Sequence, residues 1–171
     1  MFDVNTQLDT TLLPQTAEYA LRAMALLAAL PPGGAMRAAD LAEAADIPPA
    51  YLSKIMRRLV LDGLVLSQKG HRGGFRLGKE PKEIRFCDVL HAVAFEVKAD
   101  DCAFGWGNCN TSAPCPLHAA WTRMKGAFVD WSARTTLADV DIKAFAHMAE
   151  RKAAAASKVS ELVGIGRKTP G

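Results

Sequence analysis

The first third of the chain has its hydrophobic residues at the three- and four-residue spacing of amphipathic helices. Three helices are predicted from this pattern, over residues 16–30, 37–45 and 49–62. Thr16 is placed to act as the N-cap of the first helix, and Pro49 occupies the first position of the third. In the third helix Leu52, Ile55 and Leu59 form the inward face, which leaves the opposite face free for a ligand.

The hydrophobic period then changes from helical to alternating. Residues 64–68 and 75–77 are predicted to be strands, joined by the glycine-rich basic turn KGHRGG. Two short helices, a tight turn and a β-hairpin, in this order, are typical of a winged helix-turn-helix. We therefore predict a mainly α fold with a small β-hairpin wing, in which residues 10–85 form a DNA-binding domain.

Large apolar residues recur later in the chain at steps of four, three, four and three. They are Leu117, Trp121, Met124, Phe128 and Trp131. This spacing predicts the seam of a long amphipathic dimerisation helix. A winged helix of this size has little spare core for such side chains, so we predict that a second copy of the helix covers them in a homodimer.

A shorter helix is predicted between Cys87 and Glu96, ahead of the dimerisation helix. Residues 86–140 then form a sensor loop and dimerisation unit. Residues 141–171 follow as an alanine-rich helix and a frayed tail.

The distribution of charge favours a polyanionic partner. The formal net charge of the 171 residues is +3, whereas residues 51–85 carry nine Lys or Arg and three acids, a local charge of +6. The residues predicted to contact DNA are Ala50, Ser53, Lys54 and Arg57 on the third helix, and Lys69, His71 and Arg72 in the wing. The helix residues are expected in the major groove and the wing residues on phosphates or in the minor groove.

Several classes of protein are not indicated by the sequence. It contains no GxSxG, P-loop or HExxH motif, and no uninterrupted apolar run of about 18 residues. The first residues lack the basic and apolar regions of a secretory signal. We expect a cytoplasmic, non-enzymatic protein without a small-molecule substrate, in which clustered cysteines bind metal or do redox chemistry rather than form structural disulfides.

Three of the four cysteines lie in the segment DCAFGWGNCNTSAPCPLH, residues 101–118. Six residues separate Cys102 from Cys109 and five separate Cys109 from Cys115, spacings that suit an iron–sulfur cluster better than zinc. Cys115 is predicted at the N-cap of the long helix, with His118 in its first turn, where the helix dipole favours a thiolate. Zinc, and free thiols with or without a thiol–disulfide switch, remain alternatives.

These segments together resemble the Rrf2 family of transcription regulators, which includes the IscR-like and NsrR-like iron–sulfur regulators. The segments are AEYALRAMALLAAL, YLSKIMRRLVLDGLV, GHRGGFRLGK, IRFCDVLHAV and the three-cysteine loop followed by a long helix, within about residues 15–140. The resemblance implies a homodimer that binds a palindromic double-stranded DNA operator. It also implies one iron–sulfur cluster per subunit, with [2Fe–2S] favoured over [4Fe–4S].

The resemblance also implies roles for individual residues. The thiolate ligands would be Cys102, Cys109 and Cys115. As in IscR-like members, His118 of the CPLH segment would complete the set, whereas in NsrR-like members a carboxylate of the partner subunit does so, here Glu18. Ser53, Lys54 and Lys69 fall on the family's DNA contact positions. The first cysteine spacing is one residue longer than is usual in the family, which leaves the cluster type and the fourth ligand open.

We therefore expect a repressor whose affinity for its operator is controlled by the cluster. The second hypothesis is a regulator of the same fold that has no metal and senses thiol oxidation or a protein partner. A third hypothesis is a small metal-dependent enzyme that uses the cysteine loop. The lack of an acid–base pair near the cysteines argues against it.

Overall fold

A computed structural model describes residues 12–70, 73–97, 101–105, 107–108, 112–141 and 144–145. Within these residues the chain forms five α-helices and one antiparallel two-stranded sheet. The elements are α1 (Gln15–Ala28), α2 (Ala38–Ala45), α3 (Pro49–Leu61), β1 (Val65–Gln68), β2 (Gly74–Leu77), α4 (Phe86–Ala92) and α5 (His118–Arg134). This order confirms the predicted winged helix-turn-helix followed by a long helix.

Helices α2 and α3 form the helix-turn-helix, and a short turn joins them. Asp46 ends α2 in the left-handed conformation, with φ of 53°, which an aspartate tolerates better than most side chains. The next residue, Ile47, is buried and donates its backbone N–H to the carbonyl oxygen of Ala42 at 2.9 Å. Pro49 then occupies the first position of α3, as predicted.

The hydrophobic core lies between α1, α2, α3 and α4. Leu52, Ile55 and Leu59 of α3 are each at most 2% exposed, which confirms the predicted inward face of this helix. Leu137, in a 3-10 turn after α5, joins the same core and donates its backbone N–H to the carbonyl oxygen of Ile84 at 2.9 Å. The end of α5 is therefore anchored to the same core as the helix-turn-helix.

The wing is a hairpin in which Val65 pairs with Leu77 and Gln68 pairs with Gly74. Backbone hydrogen bonds in both directions between Met36 and Phe75 add a bridge to the outer side of β2. At Gly74 a Cβ atom would lie 2.4 Å from the carbonyl oxygen of Met36. This close approach of two backbones requires glycine.

The structure corrects three local predictions. The N-cap of α1 is Pro14 and not Thr16, because the carbonyl oxygen of Pro14 already accepts the N–H groups of the first helical turn. Helix α4 ends at Ala92 rather than near Glu96, since the chain turns at Ala94 with φ of 60°. Helix α5 has Leu117 and not Cys115 at its N-cap, because residues 115–118 form a tight turn ahead of the helix.

Among the described helices, none combines the length and hydropathy of a transmembrane span.

Candidate functional site

The exposed side of α3 carries the residues predicted to contact DNA. Ala50, Ser53, Lys54 and Arg57 are all exposed, and their spacing of three and four places them on one side of the helix. The hydroxyl of Ser53 donates a hydrogen bond of 2.9 Å to the carbonyl oxygen of Pro49. Its oxygen still has acceptor capacity for a ligand. A polar, cationic surface therefore covers the first three turns of the helix.

Tyr51 belongs to the same surface and is not among the residues predicted from the sequence to contact DNA. Its side chain is 50% exposed, and its ring packs edge to face on Tyr19 of α1 with centroids 6.3 Å apart. The ammonium of Lys54 lies 5.9 Å from the Tyr51 ring centroid, and the guanidinium of Arg22 lies 5.5 Å from that of Tyr19. The sequence signal that could have predicted this role of Tyr51 is an aromatic residue in the first turn of the predicted recognition helix.

Arg58 has a structural contact that its neighbour Arg57 lacks in the described structure. Its Nη1 donates a hydrogen bond of 2.9 Å to the carbonyl oxygen of Val93, just after α4. Of the wing residues, Lys69 is exposed beyond the end of β1. His71 and Arg72 lie outside the described residues. The DNA roles of all these side chains stay predictions.

Two of the three predicted cysteine ligands are described, and they lie close together. The Sγ atoms of Cys102 and Cys115 are 4.0 Å apart, and both residues are half-buried. Cys109 lies outside the described residues. The loop between Cys102 and Cys115 therefore returns to its starting point, which is the proximity that two ligands of one group need.

The side chain of His118 has a buried nitrogen atom that is available to a metal. Its Nδ1 atom is buried and has no hydrogen-bond partner in the described part of the chain. Such atoms are rare in folded proteins and call for an explanation, of which an absent ion is one. The backbone N–H of His118 donates to the carbonyl oxygen of Cys115 at 3.0 Å, so both residues belong to one turn.

The donor set is compatible with a thiolate–imidazole metal site but is not assembled by the described residues alone. Within the described ranges, no three Cys, His, Asp or Glu side chains converge on one point. With Cys109 outside those ranges, the set of Cys102, Cys109, Cys115 and His118 stays a prediction. Glu18, the alternative ligand, is half-buried on α1 and lines the groove formed with α5.

The start of the cysteine loop is attached to α5 by side chains. The carbonyl oxygen of Asp101 accepts hydrogen bonds from Trp121 Nε1 and from Lys125 Nζ, each 2.8 Å long. Asp101 also forms a β-bridge with Asn108, and the N–H of Cys102 donates to the carbonyl oxygen of Gly107 at 3.1 Å. Cys102 is thereby held in a small turn against the helix.

Cys87, the remaining cysteine, has a different environment on α4. Burial raises the pKa of its thiol, and the carboxylate of Asp88, with Oδ1 3.8 Å from the sulfur, acts in the same direction. The thiol is therefore protonated at neutral pH, unlike a metal-binding thiolate.

An apolar groove of about 820 Å³ runs between the start of α1, the end of α4 and α5. Its apolar lining includes Leu12, Leu13, Phe95, Trp121, Met124, Phe128 and Trp131. Four of the five seam residues predicted from the sequence thus line this groove, and Leu117 lies outside it. Met124 and Trp131 are 44% and 42% exposed. The seam is therefore not covered by the described residues of a single chain.

A helix-turn-helix with a cationic outer face, a β-hairpin wing and a long helix bearing a cysteine loop define a winged helix-turn-helix transcription regulator. The family model for Rrf2, described as an iron-dependent transcriptional regulator, matches residues 13–141. The chain belongs to the Rrf2 family.

Relatives and solved structures agree with this assignment. IscR, an HTH-type transcriptional regulator of Escherichia coli O1:K1, is 32% identical over 128 residues, which are 75% of this chain and 78% of IscR. The structure of CymR, the global cysteine regulator of B. subtilis, matches with a TM-score of 0.64 and 24% identity, over 76% of this chain and 95% of CymR. The structure of T. potens IscR matches with a TM-score of 0.58 and 24% identity, over 74% and 83%.

These similarities settle two of the sequence predictions. The likeness to the solved structures shows the winged-helix fold. The family and the relatives are DNA-binding transcription regulators and not enzymes, which confirms the prediction of a non-enzymatic protein.

Proposed function

We propose that the protein is a homodimeric repressor whose affinity for a palindromic operator is controlled by an iron–sulfur cluster. Cys102, Cys109, Cys115 and His118 would hold the cluster. The approach of the Cys102 and Cys115 sulfur atoms to 4.0 Å is the observation that carries this proposal. The buried Nδ1 of His118, which has no partner among the described residues, and the iron dependence in the family's description support it further.

The DNA part of the proposal follows from the exposed face of α3. Ser53, Lys54 and Arg57 would enter the major groove from the first turns of the helix, and Ala50 leaves room there for a base or its methyl group. Lys69 of the wing, together with His71 and Arg72, would lie on the phosphate backbone or in the minor groove. We place this activity in the cytoplasm, where the operator DNA is.

Dimerisation is supported by the groove along α5. Met124 and Trp131 remain more than two-fifths exposed in the single chain, and a second α5 helix offers the matching apolar stripe. A two-fold axis along this seam would place two α3 helices on two half-sites of a palindrome. The bound cluster would supply a centre that is sensitive to oxidants, nitric oxide or iron supply.

The control of DNA affinity would follow from the position of the cysteine loop. The loop leads directly into the first turn of α5. A change in the conformation of the loop would therefore act on the helix that forms the dimer interface. The distance and angle between the two α3 helices then change, and the two-fold operator reads this change as altered affinity.

Anaerobic purification with visible absorption and iron and sulfide analysis tests the proposal. We expect a coloured protein with both elements present, and loss of the colour in Cys115→Ser. Cys87→Ser is the matched control and should keep the colour. Operator binding is then compared between the protein with and without the cluster. Equal affinity and sequence preference of the two forms would rule out the proposed control, and an unchanged spectrum in His118→Ala would exclude this residue as the fourth ligand.

The same 4.0 Å contact also favours a second function, a thiol–disulfide switch without metal. A disulfide has an S–S bond of about 2.05 Å, so the two sulfur atoms, now 4.0 Å apart, would have to approach each other by about 2 Å. One structure similar to this chain is that of Staphylococcus aureus CymR in an oxidised form, with a TM-score of 0.58 and 25% identity. A colourless anaerobic preparation without iron, which loses two hydrogen atoms from the Cys102 and Cys115 peptides on mild oxidation, would favour this function.

A further inference from the structure

Two side chains of α5 meet at one backbone atom at the entrance of the cysteine loop. Trp121 Nε1 and Lys125 Nζ both donate to the carbonyl oxygen of Asp101, at 2.8 Å each. We infer that Trp121 and Lys125 are positioning residues that close the loop onto α5 and hold Cys102 beside Cys115. The inference adds a means of pre-organisation to the proposed cluster site, and it can be tested on the two thiols alone.

The burial of Lys125 is the first argument. Only 5% of the residue is exposed, and an ammonium group in such a place is unfavourable unless it has close partners. The carbonyl oxygen of Asp101 is one partner, and the ring of Trp121, with its centroid 5.8 Å from Nζ, is another. A leucine or methionine could occupy the same position without a buried charge. Lysine adds to this position the hydrogen bond that its Nζ donates to the carbonyl oxygen of Asp101.

The geometry of the loop is the second argument. Its C-terminal end is fixed covalently, since Cys115 lies two residues before the N-cap Leu117 of α5. Its N-terminal end is fixed by Trp121 and Lys125, because Asp101 directly precedes Cys102. Both ends of the loop are thus attached to the first three turns of one helix. Fixing the ends in the folded chain removes most of the entropy cost of bringing the two thiols together.

The third argument is the spacing along α5. His118, Trp121 and Lys125 follow each other at three and four residues, so they share one side of the helix. The proposed ligand His118 and the two donors to Asp101 are therefore mounted on one rigid element. Loosening the donors would move Cys102 relative to Cys115 and His118 while leaving the helix itself intact.

The experiment uses full-length protein without metal in a Cys87→Ser/Cys109→Ser background, where only Cys102 and Cys115 remain as thiols. The protein is equilibrated anaerobically with reduced and oxidised glutathione. The two thiols form a disulfide and pass two electrons and two protons to glutathione disulfide, which becomes two glutathione thiols. The ratio of oxidised to reduced protein gives the effective concentration of one thiol at the other.

Lys125→Met removes the donor and keeps the length of the side chain, and Trp121→Phe removes the indole N–H and keeps an aromatic ring. We expect each to lower the effective concentration about tenfold, the ratio that the loss of one buried hydrogen bond typically produces. Lys125→Arg keeps a donor and should lie nearer the parent protein. Arg123→Met, an equal loss of charge at an exposed position of α5, should have no effect.

Unchanged effective concentrations in both Lys125→Met and Trp121→Phe would overturn the inference. If Lys125→Met does not fold, as judged by circular dichroism and thermal melting, Trp121→Phe decides the question. The outcome is separable from that of the proposed function. If the wild-type protein binds no cluster but both variants lower the effective concentration, the proposed cluster is ruled out and the positioning role of Trp121 and Lys125 is supported. If the wild-type protein binds a cluster but neither variant changes the effective concentration, the cluster is supported and the positioning role is ruled out.

Discussion

The salt dependence of operator binding tests the proposed DNA surface in a quantitative way. Lys54, Arg57 and Lys69 are the exposed cations on α3 and the wing that the structure describes at the predicted contact positions. If each contacts one phosphate in both subunits, six phosphates are neutralised. These contacts alone contribute about −5 to the slope of log affinity against log salt, since each phosphate contributes about −0.9, and a phosphate contact of Arg72 would make the slope steeper. A fourfold increase in salt should weaken binding on the order of 10³-fold.

Arg57→Gln removes two of these contacts from the dimer. The slope should then be less negative by about 2, and the same fourfold increase in salt should weaken binding only on the order of 10²-fold. The measurement is fluorescence anisotropy of a labelled operator duplex, titrated at several concentrations of potassium chloride. The operator duplex is first selected from a pool of random sequences by its binding to the protein.

Two variants separate charge at the interface from charge elsewhere. Arg123→Gln removes the same charge from an exposed position of α5 and should leave the slope unchanged. Arg58→Gln should lower the free energy of unfolding, because the guanidinium of Arg58 bonds to the carbonyl oxygen of Val93, but should change the slope little. The reasoning would be refuted by a wild-type slope near zero, or by equal slopes for Arg57→Gln and Arg123→Gln.

Three further predictions address the dimer, the packing of α4 and the wing. Met124→Asp places two carboxylates in the apolar groove of the proposed dimer and should yield monomers in sedimentation velocity; an unchanged dimer would place the interface elsewhere. Burial alone would raise the pKa of Asp88, but its hydrogen bonds from the Arg85 side chain and N–H outweigh burial and lower it. Asp88→Ala should therefore cost about 1 kcal/mol at neutral pH, and this difference in urea melts should fade as the pH falls from about 4 through the lowered pKa. Gly74→Ala sets a Cβ against the carbonyl oxygen of Met36 and should lower stability by at least about 1 kcal/mol, seen as a lower melting temperature.

The helix-turn-helix and wing could be predicted because their signals are local. The inward face of α3 follows from the spacing of Leu52, Ile55 and Leu59, and its start follows from the fixed backbone angle of Pro49. The hairpin follows from a glycine-rich turn between two short apolar runs. These features need little information from the rest of the chain, so the errors there are shifts of one residue at one end of each of α2, α3, β1 and β2.

The details of the cysteine site could be predicted less well because they depend on tertiary contacts. In the sequence Lys125 is one of three Lys or Arg residues on an amphipathic helix, and only the loop folded over it makes it a buried donor. Pro114 and Pro116 flank Cys115 in the sequence and predict it as the N-cap of α5, but the turn that ends at His118 moves the helix start beyond it. The spacing of the cysteines predicts which thiols can bind the same metal centre. The contacts of Asp101, which determine how Cys102 is held, cannot be read from that spacing.

The packing of α3 limits how any signal from the loop can reach DNA. Ile55 and Leu59 are at most 2% exposed and fix α3 within the core of its own subunit, so the reading surface is not easily reshaped. Helix α5 contacts this body through the ring pairs Phe128–Phe95 and Trp131–Phe86, with centroids 6.0 Å and 5.3 Å apart. A change in the loop can therefore act more readily on the relation of α5 to its partner helix than on α3 itself. Regulation in the proposed dimer should accordingly change the separation of two unaltered recognition helices, and the spacing of operator half-sites should matter more to it than the bases within each half-site.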